Sequence, residues 1–115
     1  MPFVKVVTSV SLNEEKRAAL RDAVWSSITL IPNKTPEVTM VELRDKADLR
    51  KGPGEADALF TEVRLFTTPP SAAKKAYAES FFAKAEEITG VKTDKMYLNF
   101  IEFNEWGSNG TIHCL

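Results

Sequence analysis

Two segments of this sequence carry the same apolar pattern, and that repeat restricts the fold more than any other feature does. In each segment, four apolar residues are spaced 4, 4 and 3 positions apart, a spacing that places them on one face of an α-helix. The offset between the two sets is 57 positions throughout, and the pairs are Leu20 and Tyr77, Val24 and Phe81, Ile28 and Ala85, and Ile31 and Ile88. The chain therefore contains two copies of one structural unit.

Strand-like segments flank both helical segments. They are rich in β-branched and aromatic residues and cover residues 2–10, 38–43, 58–67 and 96–103. A strand-helix-strand unit favours parallel pairing of its strands, with the helix on one face of the sheet. We therefore predict an α/β (α+β) fold in a single domain of residues 1–115, a tandem β-α-β repeat with halves at about 2–44 and 58–103. Its four-stranded mixed sheet carries both helices on one face.

Local signals predict where the two helices begin and end. Ser11 and Glu14 have the spacing of a capping box, which predicts the start of the first helix, and Pro32 ends it. Ser71 follows two prolines at the start of the second helix, and Gly90 is suited to its C-terminal cap. Each helix should contain roughly 17 to 20 residues, a range within the usual length of globular helices.

The last strand carries bulky apolar side chains on both faces. Met96, Leu98 and Phe100 alternate along it with Tyr97 and other large residues. Two helices can cover only one face of a four-stranded sheet, so the second face needs a partner. We therefore predict a homo-oligomer in which sheet packs against sheet.

Composition excludes several classes of function. Fifteen Lys and Arg residues balance sixteen Asp and Glu residues, for a net charge of −1, which does not fit a dedicated nucleic-acid or anionic-membrane binder. Cys114 is the only cysteine and His113 the only histidine, so neither a disulfide framework nor a histidine-rich metal cluster is expected. Without an apolar span or signal core, we expect a soluble, cytoplasmic protein.

Four short motifs resemble the tautomerase superfamily, in particular the branch of macrophage migration inhibitory factor and D-dopachrome tautomerase. In order along the chain they are Met1-Pro2-Phe3, Asn33-Lys34-Thr35-Pro36, Met96-Tyr97-Leu98-Asn99-Phe100, and Trp106-Gly107-Ser108-Asn109-Gly110-Thr111. The resemblance spans nearly the whole chain, and the order and spacing of the motifs carry it. It implies a homotrimer whose sheets enclose a central barrel, with active sites between neighbouring subunits.

Pro2 is the catalytic residue that the resemblance implies. Removal of Met1 exposes a secondary amine at the start of a buried strand. An ordinary α-amino group titrates at a pH of about 7.7 to 8, and lowering this pKa by one unit takes about 1.4 kcal/mol, which burial and a nearby cation can supply. General-base work at neutral pH is then feasible. From position alone, Pro2 is simply the residue that follows the initiator methionine.

The resemblance implies three further substrate-binding residues. Lys34 corresponds to a lysine that binds the substrate carboxylate and lowers the pKa of the proline amine. Tyr97 and Asn99 share one strand face and would line the pocket of the neighbouring subunit, Tyr97 shaping the ring site and Asn99 hydrogen-bonding the substrate. Taken by itself, Lys34 is an ordinary solvated lysine after a helix, and Tyr97 an ordinary packing residue.

The chain departs from the family at the strand residues Arg64-Leu65-Phe66, where the usual sequence is Ser-Ile-Gly. Leu65 stands where a backbone amide faces the substrate. Arg64 either narrows the pocket or adds a second carboxylate ligand, since a guanidinium makes bidentate contacts. Phe103 and Trp106 are candidate aromatic walls of the site, although a tryptophan near a chain end is more often an interface anchor.

The leading hypothesis is a cofactor-independent keto-enol tautomerase acting on phenylpyruvate-like or dopachrome-like compounds, with no metal and no cofactor. The alternative is a catalytically weak or inactive homotrimer that binds a protein partner, as cytokine members of the family do, and retention of Met1 would favour it. Such a role is compatible with non-classical secretion. A third hypothesis is decarboxylation or hydration at the same proline. His113 and Cys114 are interpreted as packing residues of the tail, and no thiol-disulfide activity is expected.

Overall fold

A computed structural model describes all 115 residues. The helices and strands, in chain order, are β1 (Pro2–Thr8), α1 (Glu14–Ile28), β2 (Met40–Arg44), β3 (Leu59–Phe66), α2 (Ser71–Thr89), β4 (Met96–Phe103), β5 (Glu105–Ser108) and β6 (Thr111–Cys114). The main sheet has the order β2-β1-β3-β4. Strands pair in parallel within each half, β1 with β2 and β3 with β4, and antiparallel between the halves, β1 with β3. The predicted tandem β-α-β fold is confirmed.

Both helices pack on one face of the sheet, as predicted. Side chains alternate strictly between buried and half-buried along β1 and β3, because successive residues of a strand point to opposite faces. The inward set meets the two repeated helical stripes, and residues such as Val4, Val63 and Phe81 are fully enclosed. Ile88 lies only partly buried at the margin of this core. Neither helix combines the length and the apolar character needed to cross a bilayer.

The predicted boundaries of the first half need correction. The side chain of Asn13 caps α1 by accepting a hydrogen bond from the Lys16 amide at 2.8 Å, so the capping-box assignment to Ser11 and Glu14 is wrong. Helix α1 has 15 residues and stops at Ile28, short of the predicted end at Pro32. In the next segment a 3₁₀ turn at Pro36–Val38 delays the start of β2 to Met40.

Two features lie outside the helix-covered core. The first is a C-terminal hairpin, in which β5 and β6 form an antiparallel two-stranded sheet; the sequence prediction did not include it. The second is the face of the main sheet opposite the helices, which no helix covers and where the Met40 and Tyr97 side chains are 68% and 56% exposed. The prediction that one sheet face is left open within a single chain is confirmed.

Tyr77 lies in the centre of the helix-covered core, and its hydroxyl is buried with no hydrogen-bond partner. Burial raises the pKa of this phenol. A buried hydroxyl that forms no hydrogen bond costs stability, so the Tyr77→Phe substitution should raise the free energy of unfolding by about 1 kcal/mol. Denaturant unfolding measures the change. A Tyr77→Phe variant that is less stable than the wild type would contradict the expectation.

Candidate active site

The N-terminus lies at one end of the main sheet, on a central strand. Pro2 is the first residue of β1 and is buried. Its Cα lies opposite that of Leu65 on β3. Because β1 has a neighbour on each side, the first residues of the chain are held in place by the sheet and do not fray as an ordinary terminus does. The sheet thus fixes the position of the chain-terminal nitrogen, whether Met1 is present or removed.

Lys34 reaches the same end of the sheet from the segment after α1. Successive tight turns follow the helix, and the Lys34 amide donates a hydrogen bond to the Ile31 carbonyl at 3.2 Å. Asn33 adopts a left-handed conformation with φ of 65°, which asparagine tolerates better than most residues do. The Lys34 Nζ donates a hydrogen bond to the Phe66 carbonyl at 2.9 Å. The ammonium group is therefore anchored at the end of β3, next to the terminus.

The terminal amine and Lys34 influence each other electrostatically. Burial lowers the pKa of the Met1 amine, and the charge of Lys34 together with a hydrogen bond from its ammonium lowers it further. Burial also lowers the pKa of Lys34, partly offset by the hydrogen bond to the terminal amine. A base must be unprotonated to accept a proton, and each of these effects on the amine favours its unprotonated form.

Backbone strain occurs at the same end of the sheet. Thr67 follows β3 directly and has φ of 82°, a left-handed conformation that is unfavourable for a β-branched residue. Its amide donates a hydrogen bond to the Phe103 carbonyl at 3.1 Å, and the preceding carbonyl, of Phe66, accepts the Lys34 ammonium. Strain of this kind concentrates at functional sites, where it fixes a geometry that relaxed backbone would not adopt.

A concave space of about 550 Å³ opens directly onto the terminus. Three parts of the chain line it, and the residues are Met1, Pro2 and Phe3 from the first, Val38 and Met40 from the second, and Trp106, Gly107, Ser108, Asn109 and His113 from the C-terminal hairpin. Trp106 therefore lines this cavity. His113 contributes to this wall and also packs against the Phe66 ring, with centroids 6.5 Å apart.

A second concave space, of about 540 Å³, adjoins the first and shares Phe3, Met40, Trp106 and Gly107 with it. Its other lining residues are Arg64, Phe103 and Glu105. The rings of Phe103 and Trp106 meet edge to face at 5.9 Å. The structure thus brings Pro2, Lys34, Leu65, Arg64, Phe103 and Trp106 of the predicted site to one end of the sheet.

Tyr97 and Asn99 are not part of this assembly within one chain. On β4 the residue opposite Leu65 is Glu102, and Tyr97 lies five residues before it, about 17 Å along the strand. There the Tyr97 ring is exposed to solvent and carries the ammonium of Lys51 at 4.6 Å from its centroid. A single subunit therefore cannot place Tyr97 beside its own terminus.

Several residues of the cavity wall were missed by the sequence analysis. Phe3, Val38 and Met40 look like ordinary strand residues, and only the pairing of β1 with β2 brings them together. The hairpin residues before His113 carry turn signals at Asn109 and Gly110, which could have indicated the hairpin. No group of three or more His, Cys, Asp or Glu side chains is arranged to hold a metal ion.

Solved structures with the same arrangement are numerous. MIF2 of Leishmania major superposes with a TM-score of 0.90 at 24% identity, over 97% of each chain. The macrophage migration inhibitory factor homologue of Prochlorococcus marinus gives 0.83 at 17% identity, over 96% of this chain and 97% of that one. The chain has the fold of macrophage migration inhibitory factor. No family model and no curated protein matches its sequence.

The same fold is found in a protein that was crystallised after chemical inactivation. Pt0534, inactivated by 2-oxo-3-pentynoate, superposes with a TM-score of 0.84 at 16% identity, over 96% of this chain and 95% of that one. The fold implied by the sequence resemblance is therefore confirmed. At these identities the likeness concerns the fold, and activity has to be argued from the site itself.

Proposed function

We propose that this protein is a keto-enol tautomerase that acts on aromatic α-keto acids of the phenylpyruvate type, with the Pro2 nitrogen as the general base. One observation carries the proposal: a chain-terminal amine of lowered pKa lies beside the Lys34 ammonium at the wall of a largely apolar cavity. This combination offers a base, a cation for a carboxylate and an apolar surface for a ring. These are the three groups that such a substrate needs.

The base becomes available when Met1 is removed. While Met1 is attached, the Pro2 nitrogen belongs to an amide and has no basic lone pair. After removal it is a secondary amine at a buried position, one residue deeper in the sheet than the Met1 amine. Burial disfavours the charged form, so the lowered pKa of the Met1 amine should carry over to the Pro2 amine.

In the proposed reaction, the Pro2 nitrogen accepts the proton of the enol oxygen as the oxygen becomes a carbonyl. The same nitrogen then returns that proton to the adjacent carbon, so one base completes the isomerisation and no group is consumed. Lys34 holds the substrate carboxylate and keeps the reacting atoms next to the base. The aromatic ring lies against the apolar wall formed by Phe3, Met40 and Trp106.

We further propose that the protein is a homotrimer in which Tyr97 and Asn99 of one copy complete the site of another. The support is the exposed sheet face and the 56% exposure of Tyr97, which is far from the terminus of its own chain. Light scattering at micromolar concentration should give a mass three times that of the chain. A monomer under these conditions would contradict the shared site.

The activity is tested by comparing the protein with Met1 present and with Met1 removed. The intact mass of the purified protein shows whether Met1 is present, and digestion with a methionine aminopeptidase frees Pro2 where it is. An ultraviolet assay then follows phenylpyruvate enol-keto conversion on both forms. We expect turnover only in the processed form, and we expect 2-oxo-3-pentynoate to add to that form once, at Pro2.

The labelling has a clear chemical basis. The unprotonated amine forms a bond to the alkyne carbon farther from the keto group, and the triple bond becomes a double bond. The other alkyne carbon takes up a proton, and the nitrogen gives up its N–H proton. Peptide mapping locates the adduct. Processed, folded protein that shows neither turnover nor label would contradict the proposal and favour a catalytically inactive, protein-binding trimer.

A further inference from the structure

Arg64 lies next to the proposed base but belongs to the open face of the sheet. Its Cα lies opposite that of Phe3, one residue along β3 from the partner of Pro2. The inward-facing positions of β3 are buried, whereas Arg64 is half-buried on the other face. The chain thus places an arginine at the wall of the second concave space.

The hydrogen-bonding capacity of Arg64 is largely unused. A guanidinium has five N–H donors. One terminal nitrogen contacts a Glu62 carboxylate oxygen at 3.3 Å, and the group lies over the Phe3 ring, 5.7 Å from its centroid. The Nε is enclosed and has no acceptor. A buried donor without a partner costs stability, so an apolar residue would suit this position better if packing were its only role.

The surroundings of Arg64 resemble a binding surface. Phe3, Met40, Phe103 and Trp106 supply an apolar wall, and Arg64 is the only basic residue in the lining. Two acidic groups lie near it. Glu62 contacts a single terminal nitrogen, and Glu105 is exposed to solvent, where its charge is screened. No hydrogen bond within the chain occupies the other terminal nitrogen, so it is free to donate to a carboxylate oxygen of a ligand.

The two concave spaces form one surface, with Arg64 in its lining and Lys34 just behind it, beside the Met1 amine that borders the first space. Phe3, Met40 and Trp106 belong to both linings. Lys34 is fixed at the Phe66 carbonyl, and the Cα atoms of Arg64 and Phe66 are about 7 Å apart along the strand. A ligand that crosses the apolar wall can therefore meet Lys34 with one end and Arg64 with the other.

We propose that Arg64 is a specificity-determining residue that binds a second, distal carboxylate, so that the preferred substrates are aromatic or unsaturated α-keto acids with two acidic groups. The inference rests on the proposed function, which supplies the first carboxylate and the reacting carbon. Lys34 holds the carboxylate next to the keto group, the ring or chain lies on the Phe3 and Trp106 wall, and Arg64 binds the far carboxylate.

The test compares two substrates that differ only in that group, phenylpyruvate and 4-carboxyphenylpyruvate, in the processed protein. We expect Arg64→Met to lower kcat/KM for the carboxylated substrate about tenfold or more, the typical effect of a lost hydrogen bond between charged groups. The decrease for phenylpyruvate should be smaller, because phenylpyruvate has no distal carboxylate for Arg64 to bind. Arg64→Lys should keep part of the preference for 4-carboxyphenylpyruvate over phenylpyruvate. Glu62→Gln should increase that preference, because the substitution frees the guanidinium from its ion pair.

Arg44 provides a matched control. It lies on the open face of β2 and pairs with Glu42, two residues earlier, as Arg64 pairs with Glu62 on β3, but it lines neither concave space. Arg44→Met should therefore leave kcat/KM unchanged for both substrates. If Arg64→Met changes kcat/KM for the two substrates equally, or changes it for neither, Arg64 has no part in recognising a distal carboxylate and the inference is wrong.

Failure of the proposed function gives a different result. In that case the processed wild-type protein turns over neither substrate, and binding is measured instead by titration calorimetry with terephthalate and benzoate. Tighter binding of the diacid by about tenfold, lost in Arg64→Met, would support the role of Arg64 without catalysis. Equal binding of the two acids would overturn it.

Discussion

Replacing Pro2 with glycine should lower kcat/KM for phenylpyruvate enol-keto conversion by about 10²- to 10⁴-fold, the usual contribution of a positioned general base. The proline ring fixes the direction of the nitrogen lone pair and shields the nitrogen from water. A terminal glycine rotates freely, so its amine is misplaced for the proton transfer. Stopped-flow or steady-state ultraviolet assays measure the loss of turnover.

The comparison is meaningful only between processed and folded proteins. Intact mass must show that Met1 is absent from both, and thermal unfolding must show that both are folded. The buried position of Pro2 at the start of β1 makes this second check necessary. Unchanged turnover in a processed Pro2→Gly protein would show that the Pro2 nitrogen is not the general base.

The fold was predictable because its strongest determinant is local and repeated. The two stripes headed by Leu20 and Tyr77 each identify a helix, and strands of similar length on both sides leave one simple arrangement. The helix start was mispredicted because Ser11 and Asn13 are both good caps, and the sequence alone does not rank them. The C-terminal hairpin was missed because strands of four residues carry little periodic signal.

The candidate site was predictable to a smaller extent. Pro2 and Lys34 are 32 positions apart, and the proposal that they meet came from family resemblance. In the structure, the hydrogen bond from Lys34 to the Phe66 carbonyl holds the ammonium at the end of the sheet where Pro2 lies. Met40 could not be identified, because its place in the cavity depends on the register of β1 against β2. Tyr97 lies at the opposite end of the sheet, so its role depends on a second copy, which a single sequence does not describe.

Lys34→Met should have two separate effects on the same reaction. Loss of the ammonium removes the partner of the substrate carboxylate, so KM should rise about 10- to 100-fold, as expected for a hydrogen bond between charged groups. It also removes a cation that lowers the pKa of the terminal amine. The amine pKa should rise towards its ordinary value of about 8. The base works unprotonated, so the acid limb of the kcat/KM profile should move to higher pH.

Two further variants separate charge from position. Lys34→Arg keeps a cation beside the amine, so the acid limb should stay close to that of the wild type even if the carboxylate is held less well. Lys84→Met removes an ammonium that bonds Ser26 between the helices, away from the cavity, and should leave KM and the pH profile unchanged. If Lys34→Met behaves like Lys84→Met, then Lys34 is an ordinary solvated lysine. The lowered pKa of the amine would then come from burial alone, and the carboxylate would need another partner, for which Arg64 is the basic residue in the lining of the adjoining space.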